Sequence, residues 1–315
     1  MKKVSILIPA YNEQESLLLL YDKLTEVVGG LPQYEWEFMF VNDGSRDRTL
    51  EMLQELRAKD ARVNYVDLSR NFGKEVAMLA GFDYVSGDCA VIMDADLQDP
   101  PSLLPLMLSK WEEGYEDVYA QRKSRGEESW LRRKLSLMFY SILQKMTRID
   151  VLQNVGDFRL LDRKCINMMK RLRESERYTK GLFCLIGCKK AKIEFDRGDR
   201  VAGKSSWNFI SLLNLAIEGI TSFTTAPLRL ASYCGVVISV CAFFYLLYIV
   251  IKALIWGDPV SGYPSMMAVI LFIGGIQILF LGIIGEYLGR VFNETKDRPV
   301  YFIESFNGEY REPEK

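Results

Sequence analysis

Four short apolar, β-rich runs, Val4 to Ile8, Phe38 to Val41, Val63 to Asp67 and Ala90 to Met93, punctuate the first third of the chain. Between and after them, Gln14 to Val28, Asp47 to Lys59, Lys74 to Val85 and Ser102 to Glu113 carry apolar residues at helical spacing. This alternation predicts an α/β domain with a mostly parallel sheet covered by helices. In such sheets ligands gather beyond the carboxyl ends of the strands. Three polar loops fall at that edge: Pro9-Ala10-Tyr11-Asn12-Glu13, Asn42-Asp43-Gly44-Ser45 and Asp94-Ala95-Asp96. They predict one shared crevice.

The pattern then changes. Leu230 to Ile251 is an uncharged apolar stretch of ~22 residues, and Met266 to Gly285 one of ~20 with only Gln277 strongly polar; both are long enough to span a bilayer. The link between them holds Lys252 and Asp258 with the breakers Gly257, Pro259, Gly262 and Pro264. The outer flanks carry Arg229 on one side and Arg290, Lys296 and Arg298 on the other. By the positive-inside rule the N-terminal domain and both termini are cytoplasmic, in a multi-pass protein of the inner (plasma) membrane. The opening apolar run is too short for a signal peptide and reads as the first strand.

Two further stripes precede the spans. Leu131, Leu135, Met138, Phe139, Ile142, Leu143 and Met146 follow Trp130, and Phe209, Ile210, Leu213, Ile217 and Ile220 follow Trp207. Basic amphipathic helices with interfacial tryptophan suit the membrane plane; packing on the domain core is the other reading. The expected organisation is a domain over 1–203 including an amphipathic helix at about 129–147, and a juxtamembrane helix over 204–229. Two membrane helices within 230–289 follow, at about 230–251 and 266–288, then a tail over 290–315 that frays from Ser305 onward. Gly285 and Gly289 form a GxxxG match, which favours self-association.

Charge is nearly balanced, 40 basic against 41 acidic residues, so no nucleic-acid partner is expected. Histidine is absent, which removes Ser-His-Asp, Cys-His and HExxH chemistry together. Neither GxGxxG nor GxxxxGK[ST] follows the first strand, against a dinucleotide dehydrogenase or a P-loop NTPase. The six cysteines read as buried and reduced, since only Cys184 and Cys188 lie close. Carboxylate and metal chemistry remains. Asp94 and Asp96 alternate with Ala95, so an extended chain points both acids the same way, where a divalent cation relieves their repulsion. The competing reading is a loop whose Asp99-Pro100-Pro101 starts the next helix.

In order and spacing, "SILIPAYNE", "VNDGSRDRT", "NFGKEVAMLAGFDYVSGD" and "MDADLQDPP" resemble family 2 glycosyltransferases with a Rossmann-like GT-A domain. "GDFRLLDR", "RVAGKSSW" and "GGIQILFLGIIGEYLGR" narrow the resemblance to polyisoprenyl-phosphate glycosyltransferases, the group of dolichol-phosphate mannose synthase and the bacterial undecaprenyl-phosphate (bactoprenol) glucosyltransferases, the latter being nearer. The resemblance implies inverting, metal-dependent transfer of a sugar from a nucleotide-sugar donor to polyprenyl phosphate at the membrane. UDP-glucose is the first choice of donor, with UDP-GlcNAc, GDP-mannose and aminoarabinose donors as alternatives. It assigns nucleotide binding to Pro9, Tyr11, Glu13, Asp43, Asp94 and Ala95, and Mg2+ or Mn2+ to Asp94, Asp96 and Gln98. Phosphate binding falls to Arg122, Arg200 and Lys204, and catalysis to Asp157, as base or orienting group. Relatives read Arg-x-x-Gly-x-Ser-Lys; here Ser206 holds the lysine position and Lys204 stands two places earlier. Relatives also form tetramers. Structural alternatives are a turn at Asp43-Gly44-Ser45 and pairing of Asp157 with Arg159 or Arg163.

Three rivals weigh less. A processive polysaccharide synthase normally has more spans and a Gln-x-x-Arg-Trp motif, which is absent here. A nucleotide-sugar-sensing membrane adaptor has no need of Asp94, Asp96 and Asp157. An ion-conducting hairpin would need intramembrane charges that these spans lack.

Overall fold

A computed structural model describes residues 1–122, 155–175, 177–195, 225–256 and 262–310. The predicted alternation forms: β1 (Lys2–Ala10), α1 (Leu17–Gly29), β2 (Tyr34–Asn42), α2 (Thr49–Lys59), β3 (Val63–Leu68), α3 (Lys74–Tyr84) and β4 (Cys89–Ile92). A 3-10 turn over Pro101–Leu103 leads into α4 (Leu104–Glu112), and then come β5 (Asp117–Arg122), β6 (Val155–Asp162), α5 (Arg163–Arg171), α6 (Thr179–Leu185) and β7 (Lys190–Phe195). Strand β1 is apolar on both faces because helices cover both, and Val4, Ile6, Leu7 and Ile8 are fully buried. Helix α1 buries Leu17, Leu20, Leu24 and Val28, one stripe at i+3 and i+4 spacing.

The sheet has eight strands in the order β7-β5-β6-β4-β1-β2-β3-β8, the last strand being β8 (Ile303–Phe306). Strand β1 pairs parallel with both β2 and β4, so the chain winds outward to β3 and then returns to the other side of β1. That reversal sets the topological switch point at the carboxyl end of β1. Beyond β4 the pattern changes: β6 runs antiparallel to β4 and β5, while β7 rejoins β5 in parallel.

Strands β5 to β7 escape the periodicity because charged residues interrupt them. Arg159 and Asp117 are 2 % and 0 % exposed in their side chains and pair at 3.2 Å. The Arg159 guanidinium also lies 3.7 Å over the Phe183 ring. Removing one partner of a buried pair strands the other charge. Asp117→Ala is therefore expected to cost about 3–5 kcal/mol, read as a lower denaturation midpoint, with Arg159 left uncompensated.

The tail corrects the expectation of fraying from Ser305. Strand β8 pairs antiparallel with β3 through Val66, Asp67 and Leu68. Asn307 accepts from Tyr65 N at 2.8 Å, returns its own N–H to Tyr65 O at 3.0 Å, and donates to Asn64 Oδ1 at 2.9 Å. Tyr301 donates to Asp83 at 2.6 Å, and Phe306 stacks on Tyr84 with ring centroids 5.0 Å apart. These contacts capture a short polar strand that composition alone reads as loose. The cysteine expectation is corrected too: Cys165 at the start of α5 is disulfide-bonded to Cys188, while Cys89 stays a buried free thiol.

The chain divides into two units, Met1–Leu212 with Pro299–Lys315, and Leu213–Arg298. The second holds two long helices, α7 (Ala226–Trp256, 31 residues) and α8 (Tyr263–Thr295, 33 residues). Within them Leu228–Tyr245 and Phe272–Thr295 are apolar and long enough to cross a membrane, and they bury almost none of their own surface. At 1.5 Å per residue each helix exceeds a hydrocarbon core of about 30 Å, which leaves turns to spare at the ends. Gly285 and Gly289 have open space around them in this chain, so their close-packing face is uncovered. The two amphipathic stripes, at about 129–147 and 204–223, lie outside the described residues.

Candidate active site

The three predicted loops meet beyond β1, β2 and β4. Pro9, Ala10, Tyr11, Glu13, Asp43, Asp94, Ala95 and Asp96 line one open cleft, joined by Asn71, Gly73, Lys74 and Ala77 from the loop into α3 and its first turn, with a cavity volume of about 240 Å3. The loops are laced to one another. Asp43 N donates to Ala10 O at 2.9 Å, Asn12 N to Ser45 Oγ at 3.0 Å, and Glu13 N to Thr49 Oγ1 at 2.9 Å. Gly44 has φ +64° and passes so close to the Arg70 backbone that a Cβ would overlap it. Only glycine fits there.

Asp43 is buried, and its two oxygens accept from Phe72 N at 2.7 Å and Gly73 N at 2.9 Å. It thus shapes the loop before α3 as well as lining the cleft. Each carboxylate oxygen retains a lone pair for a ligand. Burial pushes its carboxyl up, partly offset by those two backbone bonds.

After β4 the chain crowds acids. Gln98 N donates to Asp96 Oδ1 at 3.2 Å, and Asp99 accepts from Asp94 N at 3.4 Å. The Asp99-Pro100-Pro101 stretch opens a helical segment at Pro101, but no side chain caps it, and the Asp99 carboxylate turns to Asp94 N instead. Burial, reinforced by Asp94, pushes its carboxyl up to about 7. Glu13 is raised as well, by burial and then, against a lowering bond from Ser16, by Asp96 and Asp94. Gln98 is 4 % exposed and its Oε1 has no hydrogen-bond partner among the described residues.

Asp157, at the start of β6, faces this group. Its Oδ2 accepts from Lys74 Nζ at 2.6 Å, and the same Nζ lies 2.6 Å from Asp94 Oδ1. Its Oδ1 is buried with no partner among the described residues. Burial favours the neutral acid, but Lys74, Lys180 and Arg159 outweigh it and hold the carboxyl below its usual range. The anticipated structural partners are otherwise engaged: Arg159 holds Asp117, and Arg163 donates to Gly87 O and Val85 O.

The fold thus brings together Pro9, Tyr11, Glu13, Asp43, Asp94, Ala95 and Asp96 in the cleft, Gln98 beneath them and Asp157 opposite. Arg122 closes β5 with a buried, unpartnered Nε, and its Nη2 is 3.5 Å from where a Cβ on Gly156 would sit. Arg200 and Lys204 lie outside the described residues. Sequence reasoning missed Lys74 and Asp99 as parts of the site. Both stood inside quoted motifs, "NFGKE" and "DLQDPP", but neither spacing nor charge alone shows what they touch.

Comparison with known proteins agrees with this geometry. Residues 5–168 match glycosyl transferase family 2, and residues 226–291 match the GtrB C-terminal hairpin. An uncharacterized glycosyltransferase of Synechocystis sp., sll0501, is 44% identical over 314 residues, covering 99% of this chain and 98% of its own length. A bactoprenol glucosyl transferase of Shigella phage SfX is 41% identical over 303 residues, covering 96% of this chain and 99% of its own length. Among solved structures, glucosyl-3-phosphoglycerate synthase from Mycobacterium tuberculosis in complex with Mn2+, UDP-glucose and phosphoglyceric acid aligns with a TM-score of 0.47. It is 19% identical and covers 70% of this chain and 78% of that one, too remote a likeness to transfer any residue. With a matched GT2 domain, a matched hairpin and near-full-length relatives, this chain belongs to glycosyl transferase family 2 and is a glycosyltransferase.

Proposed function

We propose that the enzyme transfers a sugar, with UDP-glucose as first donor, onto polyprenyl phosphate at the cytoplasmic face of the membrane, with inversion at the anomeric carbon. The observation that carries this is Asp157: an ionised, buried carboxylate with one unpartnered oxygen, facing an acid-lined cleft in a chain with two membrane-length helices. The similarity to a bactoprenol glucosyl transferase supports the lipid acceptor and the sugar.

A divalent cation fits the acid side. Glu13 and Asp99 are raised by burial and then by neighbouring acids, and among the described residues Gln98 Oε1 is buried without a donor. These are the marks of an oxygen cage short of positive charge. Asp94, Asp96 and Gln98 would hold Mg2+ or Mn2+, which when bound supplies Lewis-acid neutralisation of the departing diphosphate.

The protein's own groups do the rest. Pro9, Tyr11, Glu13 and Asp43 hold the nucleoside end, Asp43 from a loop already fixed by two backbone bonds. Arg122, with Arg200 and Lys204, grips phosphate oxygens. A phosphate oxygen of the acceptor attacks the anomeric carbon as the bond to the nucleoside diphosphate breaks, and the diphosphate leaves with the electron pair. A phosphate monoester carries about −1.5 to −2 charge near pH 7, so little proton removal is needed. Asp157 Oδ1 receives whatever proton remains and aims the attacking oxygen. The two spans anchor the enzyme in the membrane where the lipid acceptor resides, with both termini cytoplasmic and a tetramer as the assembled form.

The test is direct. Detergent-purified protein is incubated with undecaprenyl phosphate and a panel of UDP- and GDP-sugars, with Mg2+ or Mn2+, and extracted lipid is weighed by mass spectrometry. A hexosyl-phosphate lipid from UDP-glucose is expected; product only from UDP-GlcNAc, GDP-mannose or an aminoarabinose donor would reassign the sugar. Donor binding with no lipid product would leave a sensing adaptor as the better reading.

A further inference from the structure

We propose that Lys74 is a positioning residue that clamps Asp94 to Asp157, and that binding of metal and donor displaces it from Asp94 while it keeps Asp157. This rests on the reading of the cleft given above. Nothing in the family match assigns Lys74 a role, and its two 2.6 Å contacts join the metal side of the cleft to the acceptor side.

The asymmetry of the two partners decides which one is released. The Asp157 side chain is 9 % exposed, whereas that of Asp94 is 32 % exposed. Among the described residues Lys74 alone forms an ion pair with Asp157, Lys180 and Arg159 adding only a longer-range pull, so losing Lys74 would strip a buried carboxylate of its main counter-charge. Asp94 suffers less, because solvent and a divalent cation can both take the lysine's place. The Lys74 side chain is 41 % exposed on a flexible four-carbon stem, so it can pivot without moving the helix that carries it.

Its root is fixed. Lys74 opens α3 directly after Gly73, whose φ is +94° and whose N–H donates to Asp43 at 2.9 Å. Asp43 belongs to the nucleotide-binding loop, so the donor site and the clamp share one backbone anchor. An ammonium touching Asp94 also repels a divalent cation seated there. Lys74 therefore weakens metal binding in the empty enzyme and, by holding Asp157, speeds transfer in the loaded one. A residue with a purely structural role would shift both quantities the same way.

The experiment measures Mn2+ binding by electron paramagnetic resonance to the full-length, detergent-solubilised protein without donor, for wild type, Lys74→Met, Lys74→Gln and Lys74→Arg. Thermal melting of each variant confirms folding, and transfer is assayed alongside. Loss of the competing charge is expected to tighten Mn2+ binding about tenfold in Lys74→Met and Lys74→Gln, the scale of one neighbouring charge. Transfer should fall by on the order of 10–100-fold in both, as for a lost supporting contact. Lys74→Arg should keep near-wild-type Mn2+ affinity and recover part of the rate. Unchanged or weaker Mn2+ binding in folded Lys74→Met and Lys74→Gln would overturn the clamp alone. A wild-type protein that binds no Mn2+ would overturn the metal site and the clamp together.

Discussion

Asparagine at Asp157 is expected to leave UDP affinity within about twofold of wild type while lowering transfer by on the order of 10^2 to 10^4, the range of a lost acid–base or aiming group. The reason is geometric. Asp157 is joined to Asp94 through Lys74, whose Nζ its Oδ2 holds, and its Oδ1 is buried without a partner among the described residues. It is absent from the residues lining the nucleotide cleft. Asparagine keeps an oxygen for Lys74 but removes the charge. The pH profile tells aiming from proton removal. Lys74, Lys180 and Arg159 hold the Asp157 carboxyl low against the upward push of burial, so it stays ionised well below neutrality. The acid limb of wild-type activity should therefore follow the second ionisation of the acceptor phosphate, near pH 6. Residual Asp157→Asn activity should show the same limb. A limb that disappears in the variant would mean that Asp157 itself is the titrating group.

Asp96→Asn is expected to lower turnover by on the order of 10^3 and to abolish Mn2+ binding, the loss of one preorganised electrostatic contact at the leaving group. Asp96 is a cleaner target than Asp94, because replacing Asp94 also frees Lys74. An asparagine oxygen can still accept from Gln98 N, as Asp96 Oδ1 does at 3.2 Å, so the local turn survives. Calorimetry with UDP and Mn2+ separates the two variants: binding fails in Asp96→Asn and persists in Asp157→Asn. Wild-type turnover in Asp96→Asn would remove that residue from the metal site.

The first four strands were legible because each is a continuous apolar run bounded by helical spacing, and the polar loops at their ends could be read as one crevice before any coordinates. Strand β6 was not, since Asp157 and Arg159 break its apolar run; both are buried, but only through partners on β5 and α3. Lys74 lies 83 residues from Asp157 in sequence, so its role is a product of the fold and no local pattern carries it. Asp99 has two sides: the Asp99-Pro100-Pro101 stretch does open a helical segment at Pro101, as its prolines suggest, while the carboxylate, which no local pattern reveals, turns inward to Asp94 N. Asn307 shows the converse, a polar residue in a polar tail whose contacts with Asn64 and Tyr65 make it part of the sheet.

That last strand makes the hairpin an insertion: the catalytic unit is built from two separated pieces of polypeptide, Met1–Leu212 and Pro299–Lys315. Truncation before α7 strips β3 of its neighbour and bares a row of unpaired backbone groups, a template for aggregation. A soluble version should splice the final seventeen residues back through a flexible linker, and a fusion partner is better placed at the amino end than beside the closing strand.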